Sequence, residues 1–211
     1  MTNSDYRYQY FQKPFIASIK EKMEKGALLM EERIFSRSLE LIEANKAILE
    51  DQQSHEHLHT VSFVIASFEE LKKLYDEKKA LDIIKYAFVD SLSFVTEQTR
   101  AFLDQSEDPF KAIVAISKQK EKDYGKTFLF HRRQDDDSAY LLEVKKCFYC
   151  KVLKLNSAKK LMPIFCDFDT NWMMAIDPLK HRFKFERPET IGTGGEICKF
   201  YFTRVNSKSE D

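Results

Sequence analysis

All of the cysteines lie in the last third of the chain, at Cys147, Cys150, Cys166 and Cys198. The single tryptophan, Trp172, and three of the five glycines lie in the same stretch. Cys166 and Asp169 are three positions apart, a spacing that places a thiol and a carboxylate on one face of a helical turn. Thiols and carboxylates serve proteins as nucleophiles, bases and metal ligands. We therefore expect any chemistry to reside in this stretch.

The cysteines fit three roles. Cys147, Cys166 and Cys198 could bind a zinc or iron ion, since thiolates are good ligands for such ions, although structural zinc sites usually present two close cysteine pairs. Alternatively, Cys166 could be a nucleophile, which requires a base or a positive environment to lower its pKa. Free cysteines also fill cores as small hydrophobes, the interpretation we favour for Cys150. The spacing leaves these roles open, and the sequence itself requires no cofactor.

Asp169 and Trp172 each have a structural and a functional interpretation. Asp169 could end a helix and cap the backbone amides of the next segment, or it could face a pocket beside Cys166. Trp172 could form the wall of that pocket or belong to the core. In either interpretation of Asp169, its apolar neighbours predict that the Asp169 carboxylate is buried and therefore needs hydrogen-bond or ion-pair partners.

A glycine-rich turn follows at Ile191-Gly192-Thr193-Gly194-Gly195. Consecutive backbone amides can bind an anion, but neither the dinucleotide-binding pattern nor a P-loop is present. A tight loop between two strands, in which glycine supplies a positive φ, explains the sequence more economically. Such a loop can still offer N–H donors to a ligand.

Two further polar clusters suggest metals less strongly. His55 and His59 are four apart, as two helical metal ligands would be, yet the pattern of zinc peptidases is missing, so we favour a polar helix start. The run Asp135 to Asp137 lacks the ligand spacing of a calcium-binding loop, and we interpret it as a solvated hairpin turn.

The first half of the chain is predicted to form helices, and these helices would be the scaffold that positions the motif residues. Apolar residues recur at helical spacing from Phe15 to about Gln52, with Gly26 as a bend or interruption, and then from Leu58 to Tyr75 and from Lys79 to Phe102. Ser54 is the candidate N-cap of the second helix, and Asp108-Pro109 is typical of a helix start leading toward Tyr124.

After Gly125 the apolar period changes to that of strands. A hairpin is predicted from strands at Thr127 to Arg133 and Ala139 to Val144, and a second strand pair at Phe183 to Arg187 and Cys198 to Arg204. Two short helices are predicted between them, at Cys147 to Leu155 and Ala158 to Phe168, with Ser157 as a cap of the second.

The order of these elements predicts an α+β fold, in which an N-terminal helical region packs on a C-terminal antiparallel sheet with short helices. We expect one domain over residues 1–211, with a helical half at 1–125, an α+β half at 126–206 that carries the motifs, and a frayed tail at 207–211.

The net charge of the chain limits the kinds of molecule that it is expected to bind. Lysine plus arginine and aspartate plus glutamate number 34 each, and this zero net charge argues against nucleic acid or an anionic membrane as a ligand. The chain shows neither a signal peptide nor a membrane-spanning stretch, so we expect a cytoplasmic protein with reduced thiols. Its ligand should be a small molecule or another protein, and the charged N-terminal helices are a candidate surface for a homo-oligomer.

Taken together, the run from Cys147 to Arg204 resembles the L-2-amino-thiazoline-4-carboxylic acid hydrolase family. The motifs that carry the likeness are Cys147, Cys166-Asp167-Phe168-Asp169, Asn171-Trp172, Phe185-Glu186-Arg187-Pro188, Ile191-Gly192-Thr193-Gly194-Gly195 and Cys198-x-Phe200. The likeness extends more weakly through His59 to Leu74 and Ala80 to Phe88. Cys150 lies outside the motifs.

The resemblance implies a hydrolase of carbon–nitrogen bonds other than peptide bonds, one that opens a cyclic, amidine-like C=N compound. By resemblance, Asp169 would be the base or orient one, and Cys166 would be a nucleophile or metal ligand. Arg187 would bind a substrate carboxylate, and the Gly194 and Gly195 amides would hold negative charge. The alternative is a non-enzymatic domain that senses a small ligand or a metal through a cysteine-lined site.

Overall fold

The predicted α+β architecture is confirmed. The structure is a computed structural model that describes residues 6–24 and 30–205, so Gly26 and the predicted tail lie outside the described residues. The long helices are α1 Lys13–Lys22, α2 Met30–Asn45, α3 Gln52–Lys72, α4 Glu77–Phe88, α5 Phe94–Gln105 and α6 Pro109–Asp123. The short ones are α7 Phe148–Leu155, α8 Met162–Asp167, α9 Thr170–Met173 and α10 Pro178–His181.

Two of the predicted helices are divided in the structure. The helix predicted from Phe15 to Gln52 corresponds to α1 and α2, followed by a 3₁₀ turn at Lys46–Ile48. The helix predicted from Lys79 to Phe102 ends at Phe88, because Val89 leaves the helical region with φ −122° and ψ −63°. Asn171 stabilises the break, since its side-chain amide donates to the Val89 carbonyl at 3.0 Å.

Of the two helix caps predicted for the N-terminal half, one is confirmed and one is wrong. Ser54 is not the N-cap of α3; that position belongs to Asp51, whose carboxylate accepts from the Ser54 N–H at 2.7 Å. The Ser54 hydroxyl accepts from the Asp51 N–H in return, which makes a reciprocal capping box. At α6 the prediction is confirmed, because Asp108 accepts from the Lys111 N–H and Pro109 is the first helical residue.

The sheet is four-stranded and antiparallel, as predicted. Its strands are β1 Leu129–Asp135, β2 Ala139–Lys146, β3 Phe183–Glu186 and β4 Cys198–Arg204, in the order β1-β2-β4-β3. Two register shifts interrupt the pairing of β1 with β2. The turn at Asp136 is the predicted hairpin turn, in which that carboxylate accepts from the Ser138 and Ala139 N–H groups.

Ser157 has a different role from the one predicted. It does not cap the following helix; instead, it ends α7 in the left-handed region, with φ 56°. Its N–H donates to the Lys154 carbonyl, and the Ala158 N–H donates to the Leu153 carbonyl at 2.8 Å. These two bonds satisfy carbonyls that the end of α7 would otherwise leave unpaired.

The apolar faces of α1 and α2 belong to the main core around α3. Phe15, Ile19, Met30, Ile34 and Leu41 are each at most 4% exposed. These helices present mainly polar and charged residues outward, with Leu39 of α2 exposed among them, and the homo-oligomer expected there stays a prediction. A second, smaller core lies between the sheet and α6. None of the helices in the described ranges is long and apolar enough to cross a membrane.

Candidate functional site

A cavity of about 590 Å³ lies where the sheet, the long helices and the short helices meet. Apolar side chains from α5, α6 and the sheet form most of its walls, among them Val95, Ile113, Leu142 and Phe200. Polar groups from the motif-bearing stretch also line it. They are Cys147, Cys150, Cys166, Asp169, Trp172, Arg187 and Cys198.

Asp169 lies between α8 and α9, and both of its carboxylate oxygens have partners. One oxygen accepts from the Trp172 indole N–H at 3.2 Å, and the other faces the Arg187 guanidinium at 3.1 Å. The carboxylate makes no capping bond to α9, so the capping role considered for it is wrong. Its side chain is 22% exposed and lines the cavity. The short helices thus aim a carboxylate into an apolar space.

Arg187, just after β3, holds this arrangement together. Its side chain is only 9% exposed, and a second guanidinium nitrogen donates to the Cys166 carbonyl at 2.7 Å. The guanidinium carbon lies 4.7 Å from the centre of the Phe200 ring, which adds a cation–π contact. Its Nε–H is buried without a partner in the described part of the chain. Arg187 therefore joins α8, the Asp169 turn and β4.

The surroundings of Asp169 raise the pKa of its carboxyl group, which makes the carboxylate a stronger base. Burial in the apolar cavity raises the pKa of the carboxyl group above its usual value. The Arg187 charge and the Trp172 hydrogen bond lower that pKa, but they offset burial only in part. A carboxylate held in this way binds a proton more readily than one in water.

The four cysteines are free thiols, and three have raised pKa values. A hydrogen bond with Cys150 and burial raise the pKa of Cys147. Burial raises the pKa of Cys166, and it raises the pKa of Cys198 to about 11, although the Ile191 N–H donates to that sulfur at 3.3 Å. These thiols are therefore protonated at neutral pH.

The predicted metal ligands line one cavity without forming a metal site. Within residues 6–24 and 30–205, no group of three histidine, cysteine, aspartate or glutamate side chains is arranged to hold an ion. The ion predicted at Cys147, Cys166 and Cys198 thus gains no support from the geometry. The same holds for His55 and His59, whose rings lie 4.7 Å apart at the start of α3.

The glycine turn contributes through close packing. Gly192 touches α8 so closely that a Cβ atom there would lie 2.4 Å from the Cys166 sulfur. Gly194 has the positive φ that was expected, at 102°. The Gly194 and Gly195 amides donate to the Ile191 and Thr190 carbonyls within the turn, and neither glycine lines the cavity. The structure does not bring these two predicted donors to the site.

Sequence reasoning missed a set of aromatic residues behind the carboxylate. Tyr124 and Tyr149 line the cavity, and His57 from α3 contacts both. The His57 Nδ1 lies 2.7 Å from the Tyr149 hydroxyl, while its Nε2 is buried and unpaired within the described residues. Burial lowers the pKa of His57 and raises the pKa of both tyrosines. The only sequence signal was Tyr149's position between two cysteines.

Comparison with known proteins identifies the family. Residues 55–202 of the 211-residue chain match the model of the L-2-amino-thiazoline-4-carboxylic acid hydrolase family. The chain belongs to that family. Among curated proteins and among solved structures, no match was found.

The part matched to the L-2-amino-thiazoline-4-carboxylic acid hydrolase family begins inside α3 and ends in β4. It includes Asp169, Arg187, Trp172 and all four cysteines, so the whole polar end of the cavity belongs to the family region. Helices α1 and α2 precede it and complete the core.

Proposed function

We propose that the protein hydrolyses a cyclic, amidine-like C=N small molecule, with Asp169 as the general base. Membership of the L-2-amino-thiazoline-4-carboxylic acid hydrolase family supports the class of reaction. The observation that carries the proposal is the Asp169 carboxylate itself. It faces an apolar cavity, its oxygens are held by Trp172 and Arg187, and its pKa is raised by burial. Such tuning is typical of catalytic acids and bases.

In the proposed reaction, Asp169 takes a proton from a water molecule as the water oxygen bonds to the carbon of the C=N group. The electron pair of that double bond moves to the ring nitrogen. The ring nitrogen takes that proton from Asp169, which gives a neutral tetrahedral adduct. Asp169 then accepts the proton of the new hydroxyl group and passes it to the ring nitrogen as the C=O bond forms and the C–N bond breaks. One water molecule is consumed, and its atoms remain in the ring-opened product.

Arg187 is a positioning residue in this proposal. The sequence suggested that it binds a substrate carboxylate, but its guanidinium is engaged by Asp169 and by the Cys166 carbonyl. Its positive charge lowers the pKa of Asp169 against the effect of burial, and so favours the ionised form that a base requires.

Cys166 acts as a neutral wall of the site rather than as a nucleophile. Attack by sulfur requires the thiolate, and burial raises the pKa of Cys166. Covalent catalysis would therefore carry an energetic penalty that attack by water avoids. Replacing the sulfur by the smaller and far less nucleophilic hydroxyl oxygen of serine separates the two routes.

The proposal is tested by incubating the protein with 2-amino-thiazoline-4-carboxylate and measuring the ring-opened product by mass spectrometry. We expect Asp169→Asn to lower the rate by at least about 100-fold, which is typical for loss of a general base. Asp167→Asn is the matched control, because that carboxylate lies two residues away and pairs with Lys85 at the surface. Cys166→Ser should keep activity within about tenfold.

Two results would contradict the proposal. Equal rates for wild type and Asp169→Asn would exclude Asp169 as the base. A Cys166→Ser variant that folds but loses activity as completely as Asp169→Asn would favour covalent catalysis by sulfur.

A second candidate function, non-enzymatic binding of a small ligand, is favoured by the size and apolar character of the cavity. In that case a thiazoline would bind without being opened. The metal-sensing form of this alternative predicts about one zinc or iron ion per chain after supplementation, lost on Cys166→Ala.

A further inference from the structure

The cavity is larger than the compound in the family name requires. About 590 Å³ falls within the roughly 300–1,000 Å³ of pockets that enclose drug-sized ligands. A 2-amino-thiazoline-4-carboxylate is one five-membered ring with two small substituents. Such a molecule at Asp169 would leave much of the cavity unfilled.

The remaining walls are apolar. Phe102 of α5 and Ile116 of α6 line the cavity and are 42% and 39% exposed, so they are accessible surfaces for a ligand to cover. Phe130 and Leu142 form the opposite wall on the sheet. A ligand that covered these side chains would gain affinity from the hydrophobic effect, and a carboxylate would gain nothing from them.

The charged residues that line the cavity also favour an apolar substituent over a carboxylate. Its two cations both have acidic partners, since Arg187 pairs with Asp169 and Lys120 lies 3.7 Å from Asp123. Glu121, the other lining acid, is bound by Arg132 and by the Tyr140 hydroxyl. Within the described residues, the lining offers a substrate carboxylate no cation that lacks an acidic partner, and the one unpaired donor of Arg187 is its Nε–H. Asp169, in contrast, accepts one bond per oxygen and can still accept from an amidine N–H.

We propose that the preferred substrates are cyclic amidines or isothioureas that carry an aromatic or branched apolar substituent in place of the ring carboxylate. The C=N end lies at Asp169 and the substituent fills the space between α5, α6 and the sheet. This inference rests on the proposed function for the position of the C=N group. What it adds to the proposed function is that the cavity selects substrates with an apolar substituent.

Binding can be measured apart from turnover, because the only tryptophan, Trp172, lines the cavity and reports on its occupation by fluorescence. The two probes are 2-amino-thiazoline-4-carboxylate and 2-amino-4-phenylthiazoline, which differ only in the ring substituent. Burying a phenyl group predicts that the second binds about 10- to 100-fold more tightly.

Variants that fill the cavity locate the substituent. Thr99→Phe on α5 should weaken binding of the phenyl compound by about tenfold or more and change binding of the carboxylate by less than about threefold. Ser117→Phe on α6 tests the same wall if the first variant fails to fold. Ala101→Phe is the matched control, since Ala101 is exposed and does not line the cavity.

The outcomes separate this inference from the proposed reaction. Equal or weaker binding of the phenyl compound overturns the inference, even if the carboxylate is hydrolysed. Absence of binding by both probes also overturns it, as does equal weakening of both by Thr99→Phe. Tight binding of the phenyl compound that Thr99→Phe abolishes supports the inference, and if no ring opening accompanies it, only the proposed reaction fails.

Discussion

The Asp169 side chain has opposing influences on its protonation, and each can be altered separately. Burial raises its pKa, while Arg187 and Trp172 lower it. The proposed base works only when ionised, so the rate should rise with pH through this raised pKa. The acid limb of the kcat/KM profile should therefore lie above about pH 3.9, the ordinary value for aspartate.

Trp172→Phe provides the test of this pH dependence. The substitution removes the indole N–H that bonds the carboxylate, so the acid limb should move to higher pH while the plateau rate changes less. Phe185→Leu is a matched control, because the Phe185 ring packs against Trp172 but has no N–H or O–H group to donate to the Asp169 carboxylate. A limb that stays in place in Trp172→Phe would show that another group controls the rate.

At the residue scale, the family motifs led to side chains that line one cavity, and their roles in function stay predictions. Cys166, Asp169, Trp172 and Arg187 all line one cavity. Their pairing could not be derived from spacing, because Arg187 reaches Asp169 only after the chain has passed through α9, α10 and β3. Similarly, the donors at Gly194 and Gly195 were predicted without knowledge that the turn uses them internally.

Among the elements, the glycine turn and α8 approach each other closely near the site. A Cβ atom at position 192 would lie 2.4 Å from the Cys166 sulfur and 2.9 Å from the Met162 carbonyl oxygen. Gly192→Ala should therefore destabilise the protein by about 1–3 kcal/mol, the usual cost of overpacking. Urea unfolding gives the measurement.

A double variant tests the cause. Cys166→Ala removes the sulfur, so combining it with Gly192→Ala should cost less than the sum of the single changes, with incomplete rescue because the Met162 carbonyl remains. Gly194→Ala is the control, since its cost arises from a positive φ in open space and should add to that of Cys166→Ala without rescue. Strict additivity at Gly192 would contradict the proposed contact.

Element boundaries were predictable where a local rule sets them. Asp108 with Pro109 defined the start of α6, and the polar run at Asp136 defined the hairpin turn. The break at Val89 was not predictable, because apolar spacing continues through it and a distant residue, Asn171, satisfies the freed carbonyl. The N-cap of α3 was assigned to the wrong member of its capping box. Asp51 is the N-cap, and Ser54 is the third helical residue of the same box.

For the whole molecule, the main core extends beyond the family region. The match begins at residue 55, yet Ile19, Met30 and Ile34 from the preceding helices are fully buried in the main core. Deleting residues 1–49 would expose the apolar surface of α3 that these helices cover. We expect the fragment 50–211 to aggregate or to unfold without cooperativity.

Circular dichroism during thermal unfolding, together with size-exclusion chromatography, tests the fragment. Deletion of residues 206–211 is the control, and it should unfold like the full chain. A monomeric 50–211 fragment with a cooperative transition would show that α1 and α2 are dispensable, and it would free them for the oligomeric role predicted from the sequence.

The edges of the sheet affect how copies of the molecule meet. Within the described residues, β2 and β4 have neighbours on both sides, so another strand could be added only beside β1 or β3. β1 is interrupted by two register shifts and carries His131, Arg132 and Arg133, while β3 has four residues and is followed closely by Pro188. Charges, irregular pairing and short length all discourage strand addition. We therefore expect the sheet edges to disfavour growth into fibrils.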